Sequence, residues 1–275
     1  MKNIAVLITC HNRKNKTISC LQFLFEAELQ SKTKLDVFLV DDGSTDGTTK
    51  AVKEIFSGKV NIIQGAGDLY WNKGMCLAWE VAIKTKRYSY YLWLNDDTFL
   101  YPDALQILLD NSQQKNNKAI ICGTTISSQT NKITYGGRKY DGTVIEPQEY
   151  LIECDLINGN CLLVPDYVFR IVGGLDTIFI HAIGDYDYGL RAKKKNIKSF
   201  VATKVIGTCE TYANLPHWCL PEYSFIQRVK NLYSPLGSSH PYYFFIFEYR
   251  HFGLMQAIKH FISIHLRLFF PKLWL

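Results

Sequence analysis

The sequence has no uninterrupted apolar span of ~18 residues, so a simple transmembrane helix is not expected. It also lacks paired cysteines. The eight cysteines stand at positions 10, 20, 76, 122, 154, 161, 209 and 219 with no Cys-x-x-Cys spacing, and Cys10, Cys122 and Cys161 sit inside apolar runs. Neither a zinc site nor a disulfide framework fits that distribution. Met1-Lys2-Asn3 leads directly into a strand-like run, without room for a basic segment, an apolar core and a cleavage site; the expectation is a reduced, cytoplasmic protein. A glycine-rich phosphate loop with Lys-Ser/Thr is missing too. Gly65-Ala66-Gly67 is no dinucleotide fingerprint, because Tyr70 stands where the third glycine belongs. The run from Asp42 is no calcium loop, because Lys53 occupies the position of the bidentate Glu.

What is present is a globular composition, 47% hydrophobic and 20% charged, over 275 residues, which suits one domain with a C-terminal extension. Aromatic residues are abundant, with 17 Tyr and 16 Phe, and such side chains favour binding surfaces and membrane interfaces as well as cores. A net charge of +6 leans towards anionic partners: nucleotide phosphates, lipid headgroups or nucleic acid. Nucleic acid is the weakest of the three, since the basic residues are dispersed or C-terminal and no recognition motif is visible.

The chain is organised around Tyr90-Tyr91-Leu92-Trp93-Leu94-Asn95-Asp96-Asp97-Thr98. An apolar run of strand length ends in three carboxylate or carboxamide side chains, which a strand would carry to the carboxyl edge of a sheet, where open α/β sheets bind ligands. Adjacent carboxylates repel unless a cation or proton joins them, and oxygen ligands suit a hard ion such as Mg²⁺ or Mn²⁺. A solvated turn ahead of a helix beginning at Pro102 is the alternative. Upstream, Ile4–Thr9, Leu35–Val40 and Val60–Gln64 read as buried strands alternating with helical patterns, which predicts right-handed β-α-β units and a parallel sheet.

From Ala119 the pattern changes to short β segments and turns. Pro165 starts a short helix ending at Gly173-Gly174, and Asp185 falls near the start of another, where the macrodipole stabilises a carboxylate. Past Gly207 periodicity is weak. Tyr242 to Leu275 mixes aromatics with Arg250, Lys259, Arg267 and Lys272, the composition of a helix in an anionic membrane interface or of one packed on the parent domain.

Four pieces in this order, Ile4 to Arg13, Val40 to Thr48, Leu94 to Thr98, and Asp185-x-Asp187-x-x-x-Arg191, resemble the family 2 glycosyltransferases with the GT-A fold. The likeness covers roughly residues 1–210 and implies a Rossmann-like α/β architecture. A mostly parallel central sheet would be flanked by helices, with a smaller β region and a C-terminal helical extension. It divides the chain into a nucleotide-sugar half (1–118), an acceptor half (119–210) and a helical extension (211–275). Gly67 to Gly74 and Ser234 to Gly237 look like the bacterial rhamnosyltransferase-type branch that builds surface polysaccharides such as O-antigen, capsule or lipopolysaccharide.

By position, the resemblance implies that Thr9, His11 and Asp42 hold the base and ribose of a nucleoside-diphosphate sugar, Asp42 reading a pyrimidine imide N–H. Asp97 matches the metal-binding Asp of the Asp-x-Asp motif, with Asn95 where the first Asp is usual and Asp96 as a helper near ribose or ion. Arg13 and Lys73 would assist the diphosphate, and Asp68 lies in the donor-side motif. Asp185 matches the catalytic base, with Gly184 in place of the usual preceding Glu. The family's further His ligand near Gly207-Thr208-Cys209 is absent, leaving His217 as a candidate. Trp71, Asn158, His181, Asp187 and Trp218 are candidate acceptor or sugar contacts; each would serve equally as a packing or capping residue. The implied activity is inverting, divalent-cation-dependent transfer from a UDP-sugar or dTDP-rhamnose to a lipid-linked or lipopolysaccharide acceptor, at the cytoplasmic face of the inner membrane. A nucleotidyltransferase or a non-catalytic sugar-binding relative would share the sheet. The first calls for a basic glycine-rich loop where Cys10 to Arg13 stand, and the second gains support from Asn95 and Gly184.

Overall fold

Ile4, Ala5, Val6, Leu7 and Ile8 are all completely buried. Alternate members of this run face opposite sides of one sheet: Ile4, Val6 and Ile8 join one apolar cluster, Ala5 and Leu7 another. A continuous hydrophobic strand is what a sheet covered on both faces requires. The computed structural model describes residues 2–31, 33–211, 215–237 and 239–274. In chain order its elements are β1 (Asn3–Cys10), α1 (Lys14–Ser31), β2 (Lys34–Asp41), α2 (Thr48–Ile55), β3 (Val60–Gln64), α3 (Tyr70–Thr85), β4 (Tyr90–Leu94), β5 (Phe99–Leu100) and α4 (Ala104–Gln114). There follow β6 (Ile120–Ile126), β7 (Ile133–Tyr135), β8 (Ile152–Cys154), β9 (Cys161–Pro165), α5 (Asp166–Val172), α6 (Gly184–Lys194), β10 (Ser199–Thr208), α7 (Phe225–Leu232), α8 (Pro241–Phe252) and α9 (Leu254–Phe269).

The strands form one sheet in the order β3-β2-β1-β4-β9-β6-β10-β5, with β7 on β6 and β8 on β10. The expected parallel pairings of β1 with β2, β2 with β3 and β1 with β4 are present. β9 is inserted antiparallel between β4 and β6, so the sheet is mixed while its principal strands keep one direction. Both apolar clusters draw on residues before and after position 118, from Ile4 to Ile206 on one face and from Ala5 to Val201 on the other. Sequence reading overlooked β10. It shifts register against β6 between Val201 and Val205 and again before Gly207, and these irregularities break the period-two signal.

The C-terminal helices pack differently. Ser224 and Gln227 form a capping box that starts α7, and Pro241 opens α8 at its first turn. Trp218, Cys219, Leu232, Ile264 and Leu268 make a small core of their own, while Phe247 joins Phe179, Ile183 and Leu190 and so fastens α8 to the parent domain. Among the described residues no helix is long and apolar enough to cross a membrane. All eight cysteines are free thiols.

Candidate active site

At the carboxyl edge of the sheet lies a cleft with a cavity volume of ≈ 510 Å³. β4 ends at Leu94, and the backbone N–H of Asn95 donates to the Asn160 carbonyl at 2.9 Å, which locks the acidic turn against the start of β9. Arg13, leaving β1, bridges the turn: one guanidinium nitrogen lies 3.0 Å from Asp96 Oδ1 and 2.9 Å from Asp97 Oδ2, and Lys16 Nζ stands 3.9 Å from Asp97. Burial pushes the Asp96 carboxyl up to about 6 even though Arg13 pulls it down. The Cys209 thiol donates to Asp97 Oδ1 at 3.7 Å, and burial pushes its pKa up to about 12, so it stays protonated beside the carboxylate.

Carboxylate oxygens are the donor type that a hard divalent ion takes. Two carboxylates meet at one edge of the cleft and already gather positive charge from Arg13 and Lys16. Among the described residues no group of three or more His, Cys, Asp or Glu side chains is arranged around a single point. A Mg²⁺-type ion needs no more than one or two carboxylates when substrate phosphates complete its shell. Asn95 contributes less than its position promised, because its Oδ1 accepts the indole N–H of Trp71 at 2.7 Å.

The opposite end of the cleft is built by Asp42. Its carboxylate accepts three backbone N–H groups, from Gly67 at 2.8 Å and from Leu69 and Tyr70 at 2.9 Å each, and so shapes the loop before α3. About four acceptor sites on a carboxylate leave one for a ligand. His11 Nδ1–H donates to the Asp42 carbonyl, which fixes the tautomer and leaves Nε2 to accept the Asn12 amide N–H at 3.1 Å. Tyr70 adopts φ 54 and meets His181 edge to face with ring centroids 6.5 Å apart. His181 Nδ1 is buried with no protein partner among the described residues, and burial together with Arg13 lowers its pKa.

Asp185 lies beside this cleft and outside its lining. In the first turn of α6, its Oδ2 accepts the Gly159 N–H at 3.0 Å and its Oδ1 the Tyr186 N–H at 2.9 Å, while burial raises its pKa. The boundary between cleft and carboxylate is thin. A Cβ on Gly159 would fall 2.5 Å from Trp71 Cζ2 and 3.5 Å from the Asp185 Cβ, and Trp71 itself lines the cleft. The residue before Asp185 is glycine for a packing reason: a Cβ on Gly184 would come 1.8 Å from Asn72 Oδ1. Asn72 is immovable there, since its Nδ2 donates to the carbonyls of Asp176 and Phe179, both at 2.8 Å. Ile183, one residue earlier, is held at φ 75, a costly conformation for a β-branched side chain.

The cleft thus brings together Thr9, His11, Arg13, Asp42, Trp71, Asn95, Asp96, Asp97 and His181 in one lining. Asp68 is exposed, and it, Lys73 and Asn158 stay out of the lining; Asn158 Oδ1 is taken by the Asn160 N–H at 3.0 Å. Two expected contacts are corrected. Asp187 is fully buried, bound by Arg191 at 2.7 Å, Arg250 at 2.8 Å and His251 at 2.9 Å, so it has no face for an acceptor. Trp218 is 1% exposed within the C-terminal core. His217 stacks on Tyr223 with centroids 4.4 Å apart, outside the cleft lining. Sequence reading missed Cys10, Gly67, Tyr70, Tyr135, Asn160 and Leu236 in the lining. Of these, Asn160 carried a signal, since it follows Asn158-Gly159 at the entry to a buried strand.

Comparison with known proteins adds to this geometry. An uncharacterized glycosyltransferase of Rickettsia prowazekii is 24% identical over 190 residues, covering 67% of this chain and 56% of its own length. Another from Haemophilus influenzae is 24% identical over 193 residues, covering 68% and 61% respectively. The chain therefore spans about three fifths of the length of these curated relatives. Among solved structures, the mannosyltransferase PcManGT from Pyrobaculum calidifontis in complex with GDP-Man and Mn²⁺ superposes with a TM-score of 0.58 at 13% identity, over 95% of this chain and 73% of that one. That likeness bears out the expected α/β, GT-A-like fold. The profile of Glycosyl transferase family 2 matches residues 5–166, more than half of the sequence and the part that carries β1 to β9, and the chain belongs to that family.

Proposed function

We propose that this protein is an inverting glycosyltransferase that moves a sugar from a nucleoside-diphosphate donor to a hydroxyl of a bacterial surface-polysaccharide precursor, carried on lipid or on lipopolysaccharide. The observation that carries the reading is one cleft lined by Thr9, His11 and Asp42 at one end and Asp96 and Asp97 at the other, with Asp185 adjoining across Trp71 and Gly159. The base and ribose would lie at the first end. The diphosphate would lie at the second, where Arg13 presents a guanidinium suited to phosphate oxygens. Asp97, helped by Asp96, would hold Mg²⁺ or Mn²⁺ there, and such an ion neutralises charge developing on a leaving diphosphate.

Asp185 would take the proton of the acceptor hydroxyl. Two backbone N–H groups aim it, and burial makes it a better proton acceptor than an exposed carboxylate. The acceptor would enter where Trp71 offers an aromatic face beside Gly159, the side on which cleft and base approach each other. Of the donors, dTDP-rhamnose and UDP-sugars agree with the pyrimidine-reading place of Asp42, and the Gly67 to Gly74 motif favours the rhamnosyl branch.

A thermal-unfolding screen of UDP-, dTDP- and GDP-sugars with and without Mn²⁺ tests this. Ligand bound at a hundred times its Kd stabilises by about 2.7 kcal/mol. Metal-dependent protection by a pyrimidine nucleotide sugar is expected. Protection by a purine nucleotide alone would remove Asp42 as a pyrimidine reader, and protection without donor turnover or hydrolysis would favour a binding protein.

A further inference from the structure

We infer that the outer face of α9, continued by the first turn of α7, is the surface by which this protein docks on an anionic lipid bilayer. α9 buries Ala257, Ile264 and Leu268 against its neighbours, so its other side should be polar. Instead Leu254, Met255, Ile258, Ile262, Leu266 and Phe269 are exposed, Met255 by 81%. At about 3.6 residues per turn they fall within one arc beside the packed stripe, with His265 as the polar residue among them, its ring bonded to Tyr233 and to the Phe261 carbonyl. Phe225 stacks on Phe269 with centroids 5.3 Å apart and passes the arc on to Ile226, which is 67% exposed.

Charge selects the occupant. Lys230, Lys259 and Lys272 are exposed on these same elements and just beyond α9. From residue 215 onward the acids are Glu222 and Glu248, and Glu248 is buried against His260. A second copy meeting this face would set lysine against lysine, whereas anionic headgroups satisfy the lysines while acyl chains receive the apolar arc. The 16 residues of α9 extend only about 24 Å, which suits a helix lying in the interface plane.

Docking here would also orient the cleft. α8 is tied to α6 by Arg250 and His251 on Asp187, and Leu236, between α7 and α8, lines the cleft itself. A lipid-carried acceptor would then be presented at the cleft mouth, and this consequence alone rests on the glycosyltransferase reading.

Flotation of the full chain with vesicles of phosphatidylcholine alone, or mixed with phosphatidylglycerol, decides the matter when run beside nucleotide-induced thermal shifts and sedimentation. The wild type is expected to float with the mixed vesicles only. Ile258→Glu/Ile262→Glu should lose roughly tenfold or more in partitioning while keeping its circular dichroism and nucleotide response. If the wild type fails to float, or the variant floats equally well, docking is overturned whatever the nucleotide response. A wild-type dimer that the variant abolishes, without flotation, would make the face an interface between copies and overturn it too. Flotation lost in the variant but no nucleotide response in either protein would leave docking standing and remove the glycosyltransferase reading instead.

Discussion

At the end of β4, Asp96 and Asp97 share the half-exposed guanidinium of Arg13 at the edge of an open cleft. In the first turn of α6, Asp187 gathers Arg191, Arg250 and His251 in full burial, while Asp185 is held by the backbone N–H groups of Gly159 and Tyr186. Burial by itself raises a carboxylate's pKa in both regions; at Asp187 the hydrogen bonds from His251, Arg191 and Arg250 outweigh it and the net shift is downward. Two aspartates two residues apart thus part company. The paired one fastens α6 to α8, and the one without a cationic partner is held by backbone N–H groups with its pKa raised by burial.

Substituting each of them gives the sharpest contrast. Asp185→Asn should cost about 10²–10⁴-fold in kcat on the true acceptor, the usual worth of a general base, with donor protection nearly unchanged. Ordinary turnover by this variant would remove the base assignment. Asp187→Ala should instead lower stability by about 3–5 kcal/mol, because the Arg191 and Arg250 guanidinium groups lose the buried carboxylate they pair with and His251 loses its hydrogen-bond partner. Denaturant melts distinguish the two: a large drop for Asp185→Asn, or none for Asp187→Ala, would break the comparison.

How far these roles were legible in the sequence follows from the same contrast. The Asn95 to Asp97 turn could be read because a hydrophobic strand carries its polar residues to a predictable edge, and β1 to β4 obey the local periodicity that places them. Asp187 was misread because its partners Arg250 and His251 are 63 and 64 positions away and belong to α8, in a segment of weak pattern. Trp218 was misread for a related reason: an aromatic side chain carries the same signature whether it meets a sugar or fills a small core. The antiparallel insertion of β9 also lay beyond the pattern, since an apolar run of five residues does not state its direction.

The two regions should also respond oppositely to pH. Asp96 sits at about 6 in the folded protein against an ordinary value of 3.8, so the folded state holds a proton that the unfolded chain has released. Its contribution to stability is complete below the ordinary value and lost as pH rises through about 6, at most roughly 3 kcal/mol. Asp187 is lowered, so its contribution is present above the ordinary value and lost only as pH falls through a folded value below it. Asp96→Asn, neutral at every pH, should flatten the dependence of Tm between pH 4 and 6 and leave the acid limb unchanged. A wild-type slope surviving in that variant would assign the titration to another group.

The smallest effect concerns Gly184. If the acid expected before Asp185 is missing because Asn72 fills its space, Gly184→Ala should cost about 1–3 kcal/mol through overpacking. Asn72→Ala should carry its own cost from the freed carbonyls of Asp176 and Phe179. The two substitutions meet at one point, so their effects should not add: in the Asn72→Ala background the methyl at 184 has room, and its increment should shrink towards zero. Full additivity in that double-mutant cycle would mean that Asn72 and Gly184 do not compete for the same volume. The departure from the family pattern beside Asp185 would then lack its steric explanation.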